Sequence, residues 1–192
     1  MIDKEYRVIL ASRSPRRREL LGKICEGFEI MTCDVDETLP EGMHPSAGVG
    51  VLAIRKGAPI AAEAPDAIVI SSDTLVELDG VPLGKPESRE HAASMLSMLS
   101  GRIHNVHTGV AVHYKGQLAY GVATSRVEFY PLSLEEIQRY IEGGEPMDKA
   151  GAYGIQGEGG KFVKEYIGDF DTIMGLSVSL TEKLVSEVLS KV

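Results

Sequence analysis

The sequence predicts an α/β fold built on a mixed sheet. Two observations carry this. Short β-rich runs alternate with segments of helical apolar spacing, the order of β-α units, and two long strand-like segments follow one another across a Lys-Gly turn, the order of a hairpin. The chain has 192 residues, which suits one domain or two closely joined lobes; 43% apolar and 25% charged residues fit an ordinary globular protein.

The elements follow in order. "YRVILA" (Tyr6 to Ala11) is a short buried strand. Ser14 then reads as an N-cap and Pro15 as the first helical residue, where a missing N–H costs nothing, and the helix stops near Gly22. "FEIMTCDVDET" predicts a second strand running into an acidic loop. Residues 46–64 are Ala-rich and helical in pattern, with Gly57 and Pro59 expected to break or bend the helix. "AIVISSDTLVEL" (Ala67 to Leu78) is an apolar run that turns polar partway, as in a central strand whose end faces a site. "SREHAASMLSML" places Ala92, Met95, Leu96 and Leu99 at helical spacing. "RIHNVHTGVAVHY" and "QLAYGVATSRVEFY" read as paired strands turning at Lys115-Gly116. Ser133 and Glu136 form a capping box before a helix that stops at Gly143-Gly144. "KAGAYGIQGEGGKF" is a Gly-rich loop, and "SLTEKLVSEVLSKV" is a closing amphipathic helix.

With 20 basic against 28 acidic residues the net charge is −8. Such a surface repels nucleic acid and anionic membrane, so neither is an expected partner. An anionic ligand would need a local concentration of positive charge. No stretch is long and apolar enough to span a bilayer. Cys25 and Cys33 are the only cysteines and form no CxxC pattern, so the expected setting is a reducing cytoplasm.

That local positive charge exists at "LASRSPRRREL". Arg16 and Arg17 fall in the first turn of a helix, where the dipole disfavours cations. A local rule broken without local benefit points to function, here guanidinium contacts to phosphate oxygens at a helix N-terminus. A solvated basic face is the plainer alternative for an arginine triplet; the Ser-Pro helix start favours the anion site. Arg18, about 100° round the helix, points elsewhere.

Other signals are weaker singly. Asp73 in "SSDTL" sits where an apolar strand turns polar and could hold a divalent metal, take a proton from water, or form an Asx turn. "DVDET" offers Asp34, Asp36 and Glu37, of which Asp34 reads best as solvated; Mg²⁺ takes one or two carboxylates with phosphate oxygens. Lys85 in "GKP" could aim a point charge at a phosphate or simply be solvated. His104 and His107 are three apart on a strand and face opposite sides, which argues against zinc. "GIQGEGGK" lacks the Walker A spacing, so its glycines are expected to let backbone approach a ligand, with Gln156 as a two-sided amide reader.

Taken together, "SRSPRR", "DVDE", "SSDTLV", "GKP", "GRIHNVHTGV" and "DKAGAYGIQG" occur in an order that resembles the Maf family of nucleoside triphosphate pyrophosphatases. The resemblance runs from Leu10 to Leu176 and implies a single Maf-like domain over residues 1–192. It implies a two-lobed fold like that of the inosine triphosphatases, with a mixed twisted sheet flanked by helices and a central cleft. It implies hydrolysis of the α–β phosphoanhydride to a nucleoside monophosphate and pyrophosphate. Carried over residue by residue, Asp73 is the proton acceptor. Ser12, Ser14, Arg16, Arg17, Lys56 and Lys85 bind substrate, and Glu37 with Asp73 holds Mg²⁺ or Mn²⁺.

"AYGIQG" looks like the branch that acts on dTTP, UTP and modified pyrimidine nucleotides, in which Arg17, Thr74 and Gln156 bear on substrate choice. An amide can pair with both the O4 and the N3–H of uracil or thymine. Members of the family often form dimers, so a second copy of the chain is a candidate partner. Three departures stand out: "RKGAP", where Pro59 could shift Lys56; "GLSVSL" in place of Gly-Leu-Pro, expected to affect the last turn more than the site; and Ser before Asp in "ISSDT", expected to leave activity intact. Two other classes remain as alternatives: a nucleotide-sensing binding protein that does not turn over, and, against the charge, a nucleic-acid binder.

Overall fold

A computed structural model describes residues 1–192. The elements run β1 (Val8–Leu10), α1 (Pro15–Gly22), β2 (Glu29–Ile30), α2 (Pro45–Glu63), β3 (Ile68–Leu78), β4 (Val81–Leu83), α3 (Arg89–Leu99), β5 (Ile103–Tyr114), β6 (Gln117–Phe129), α4 (Leu134–Glu142), β7 (Val163–Ile167), α5 (Phe170–Met174) and α6 (Val178–Leu189). Three short 3₁₀ turns lie between α4 and β7. The fold is α/β with a seven-stranded mixed sheet in the order β2-β1-β3-β5-β6-β7, and β4 pairs with β3. The pairs β1–β2 and β1–β3 are parallel, whereas β3–β4 and β6–β7 are antiparallel. No helix is long and apolar enough to cross a membrane.

The chain divides into two compact units. The first holds Met1–Asp73, Thr108–Ala123 and Gly175–Val192; the second holds Thr74–His107 and Thr124–Met174. In the first unit Ile9, Ala11 and Val69 pack on Ile60 and Ala64 of the α2 end. In the second, Val76, Leu78 and Leu96 join Val127, Phe129, Ile137 and Tyr153 in one apolar cluster.

Local sequence accounts for the ends of several elements. Ser14 adopts extended backbone before α1 and its hydroxyl accepts the Arg17 N–H, with Pro15 opening the helix. Ser133 and Glu136 make both bonds of the capping box. The β5–β6 turn places Lys115 and Gly116 at φ 45° and 76°, the left-handed pair that a two-residue hairpin needs.

Two expectations are corrected. The strand expected over "FEIMTC" reduces to Glu29 and Ile30, both exposed at the sheet edge. Beyond Ile30 the acidic residues cannot be buried, and the segment is instead tied down by Arg55, which donates to the carbonyls of Asp36 (3.1 Å) and Thr38 (2.7 Å). Secondly, of the break or bend expected in α2, the break is absent: the helix runs through Gly57 and Pro59 without interruption. Val49, Leu52 and Ile60 are all buried, at about 1.5–3 kcal/mol each, which outweighs the ~3 kcal/mol of an interior proline.

Candidate active site

The first unit gathers a cationic cluster around one buried carboxylate. Ser12 lies two residues past the end of β1 and is buried; its hydroxyl oxygen accepts the Ser14 N–H at 3.2 Å and Arg17 Nη1–H at 3.4 Å. Arg17 Nε–H donates to the Gly175 carbonyl at 2.9 Å. The same carbonyl accepts the Ser72 hydroxyl at 2.8 Å. Gly175 holds this carbonyl at φ 119°, a left-handed backbone open to glycine. Arg17 is thus held in the first turn of α1 by a hydroxyl five residues before it and a carbonyl 158 residues after it. Burial pushes its guanidinium below the usual arginine range; the nearby Asp73 carboxylate opposes this, Arg16 adds to it and Glu37 opposes it.

Asp73 closes the part of β3 that belongs to the first unit, and only 8% of it is exposed. Lys56 Nζ donates to its Oδ1 at 2.5 Å and lies 3.1 Å from Glu37 Oε1. Lys56 reaches Asp73 because α2 lies close on β3. A Cβ at Gly57 would stand 2.5 Å from Ser71 Oγ and 2.8 Å from the His113 ring. The Ser71 hydroxyl donates to the Ala53 carbonyl at 2.7 Å, bonding strand to helix. Pro59 therefore does not displace Lys56 from the carboxylates.

The result is Arg16, Arg17 and Lys56 against Asp73 and Glu37, which leaves room for further negative charge. The chain offers no cluster of three or more His, Cys, Asp or Glu placed to hold a metal ion. Glu37 and Asp73, brought together on the Lys56 ammonium, are the hard oxygen donors that Mg²⁺ or Mn²⁺ takes beside phosphate oxygens and water; they do not suit a structural zinc site.

The remaining expected residues belong to the second unit. Thr74 follows Asp73 on β3 and is half-buried. Lys85 is exposed on the turn after β4, and Gln156 is exposed on the Gly-rich loop. The Gly151 N–H donates to the Gly84 carbonyl at 3.0 Å, which ties the Lys85 turn to that loop.

The loop's glycines lie close to the chain's own side chains. Gly154, Gly157 and Gly159 press on the chain's own Lys149, Glu145 and Tyr140, where a Cβ would approach to between 2.4 and 2.8 Å. They serve internal packing. His104 and His107 enter separate networks, as strand alternation requires. His104 Nε2 pairs with the Tyr153 hydroxyl (2.9 Å), and His107 with Glu77 Oε2 (3.1 Å) and Thr124 Oγ1 (2.8 Å).

Sequence reasoning missed Ser72, Gly175 and Glu145. Ser72 was expected to leave activity intact, and "GLSVSL" to affect the last turn more than the site. Ser177 does cap α6, accepting the Leu180 N–H, but Gly175 two residues earlier holds Arg17. The signal for Ser72 was available: a hydroxyl beside Asp73 on a buried strand needs a partner.

The sequence pattern of the family described as Maf-like protein matches residues 7–188. A protein of Bacillus velezensis named dTTP/UTP pyrophosphatase is 47% identical over 181 residues, covering 94% of this chain and 96% of the relative. One of the same name from Pelotomaculum thermopropionicum is 48% identical, covering 90% and 91%. A third from Moorella thermoacetica is 44% identical, covering 94% of each.

Proposed function

The chain belongs to the Maf family, and on that premise we propose that it hydrolyses dTTP, UTP and modified pyrimidine triphosphates to the nucleoside monophosphate and pyrophosphate. The observation that carries this reading is the meeting of Arg16, Arg17 and Lys56 with Glu37 and Asp73 in one cluster whose positive groups outnumber its negative ones. A triphosphate carries about four negative charges, so neutralising them is the main task of a site that splits its anhydride.

Each group has a task in that reading. Arg17, its guanidinium oriented by Gly175 and Ser12, meets the phosphate oxygens, with Arg16 beside it on the same helix turn. Ser12 and Ser14 set the turn that aims them. Lys56 and Lys85 contribute point charges to the phosphates. Asp73 orients water for in-line attack on the α-phosphorus and accepts its proton. Thr74 and Gln156 bear on substrate choice, the amide by donating to O4 and accepting from N3–H of the base. Glu37 and Asp73 would hold Mg²⁺ or Mn²⁺, which supplies charge neutralisation on the phosphates.

Isotope labelling tests the reaction. Hydrolysis of dTTP in ¹⁸O-water should yield labelled dTMP and unlabelled pyrophosphate. Release of orthophosphate with a nucleoside diphosphate, or bound nucleotide without turnover, would replace this reading with a phosphatase or a nucleotide sensor. Chelation should abolish pyrophosphate release, and Mg²⁺ or Mn²⁺ should restore it.

A further inference from the structure

We propose that Glu145 is the positioning residue for Gln156, acting through the turn of residues 154–159. The inference rests on the reading that Gln156 recognises the base, and it adds the group that holds that amide in place.

Glu145 follows α4 in a 3₁₀ turn, and its carboxylate is met by three donors. The Tyr140 hydroxyl donates to Oε1 at 2.9 Å, the Glu158 N–H to Oε2 at 2.9 Å and the Gly159 N–H to Oε1 at 3.3 Å. Tyr140 acts at both ends of the turn, because its oxygen also accepts the Gly154 N–H at 3.1 Å. The turn is closed by the Gly157 N–H on the Gly154 carbonyl at 3.2 Å. Gly157 passes so close that a Cβ there would lie 2.4 Å from both carboxylate oxygens. Gln156 stands between these fixed points, exposed.

Two successive backbone N–H groups aimed at one anion form the kind of nest that elsewhere cradles phosphate. Here the chain fills the nest with its own carboxylate. The loop therefore has its shape before any ligand arrives, and a base meeting Gln156 does not have to order the turn. Burial alone would raise the Glu145 carboxyl, but the N–H of Glu158, the Tyr140 hydroxyl and the N–H of Gly159 hold it below the usual range, so the nest stays charged near neutrality.

The test compares dTTP and dATP kinetics in wild type, Glu145→Gln, Gln156→Ala and the double variant. Glutamine keeps the size but brings an NH₂ against N–H donors. We expect KM for dTTP to rise ~10-fold, the scale of a hydrogen bond to a charged group, with kcat close to wild type. Preference for dTTP over dATP should fall by a similar factor. The double variant should be no less selective than Gln156→Ala, since both act on one amide. Hydrogen exchange at the Glu158 and Gly159 amides should quicken in Glu145→Gln. If Gln156→Ala alters selectivity and Glu145→Gln does not, the positioning role is wrong while base reading stands. If Gln156→Ala changes nothing, base reading fails and the positioning role falls with it. Should Glu145→Gln not fold, Tyr140→Phe, which removes the hydroxyl shared by both ends of the turn, carries the same KM and selectivity expectation.

Discussion

Lys56 and Asp73 lie seventeen residues apart in sequence and 2.5 Å apart at their charged atoms. A helix and a strand meet there, and Glu37, Arg16 and Arg17 of the same unit gather near that pair.

Asp73→Asn keeps the shape of the side chain and removes its ability to take a proton. Pyrophosphate release should fall ~100- to 10,000-fold, the usual contribution of a general base. Binding of dTTP, measured by calorimetry, should persist. Near-normal turnover would move the base elsewhere.

Arg17→Lys preserves charge but loses the fork that meets both Gly175 and Ser12. We expect kcat/KM for dTTP to drop ~10- to 100-fold, the equivalent of one charge-assisted hydrogen bond. Ser72→Ala, which leaves Arg17 as the described side-chain donor on the Gly175 carbonyl, should give a smaller drop in the same assay. Equal losses in the two variants would mean that Arg17 acts only through the Gly175 segment.

Gly57→Ala should force α2 off β3, because the new methyl would meet Ser71 Oγ and the His113 ring. Overpacking of this kind costs about 1–3 kcal/mol, readable as a lower urea midpoint. Activity should fall further than stability requires, since Lys56 moves with its neighbour. A variant with full activity and an unchanged midpoint would show that the close approach is unimportant.

The Glu77 carboxylate is held by Asn105 Nδ2–H, the Gly80 N–H and His107, which bring its carboxyl down to about 2 from an ordinary value of 4.5. A depressed carboxyl contributes stability above its unfolded value and loses it as the folded value is approached from above. The loss should therefore run from roughly pH 4.5 down to about 2 and amount to about 3 kcal/mol at most. Glu77→Gln should flatten that part of the stability-versus-pH curve relative to wild type in urea titrations. An unchanged slope would remove Glu77 as a cause.

The readable parts of the fold were those governed by near neighbours. Ser14 with Pro15, Ser133 with Glu136, and Lys115 with Gly116 each state their structure within a few residues, because caps and turns are local physics. The edge strand β2 and the unbroken α2 were misread because sheet pairing and core burial overrode local preference. In the site, Arg16, Arg17 and Asp73 stood out as charges in unusual places. Ser72 and Gly175 did not, since their bond spans 103 residues and glycine carries no side-chain signal. Glu145 hid for a related reason: an acidic residue after a helix looks solvated until the loop that closes over it is seen.

The ion pair between α2 and β3 also bears on how the protein can be handled. The Lys56 ammonium gives both Asp73 and Glu37 a counter-ion from the same polypeptide, which offsets the repulsion between the two carboxylates without a divalent ion. Chelator-treated protein should therefore stay folded and melt cooperatively, with Mg²⁺ adding no more than the mass-action rise of an ion that binds the folded state.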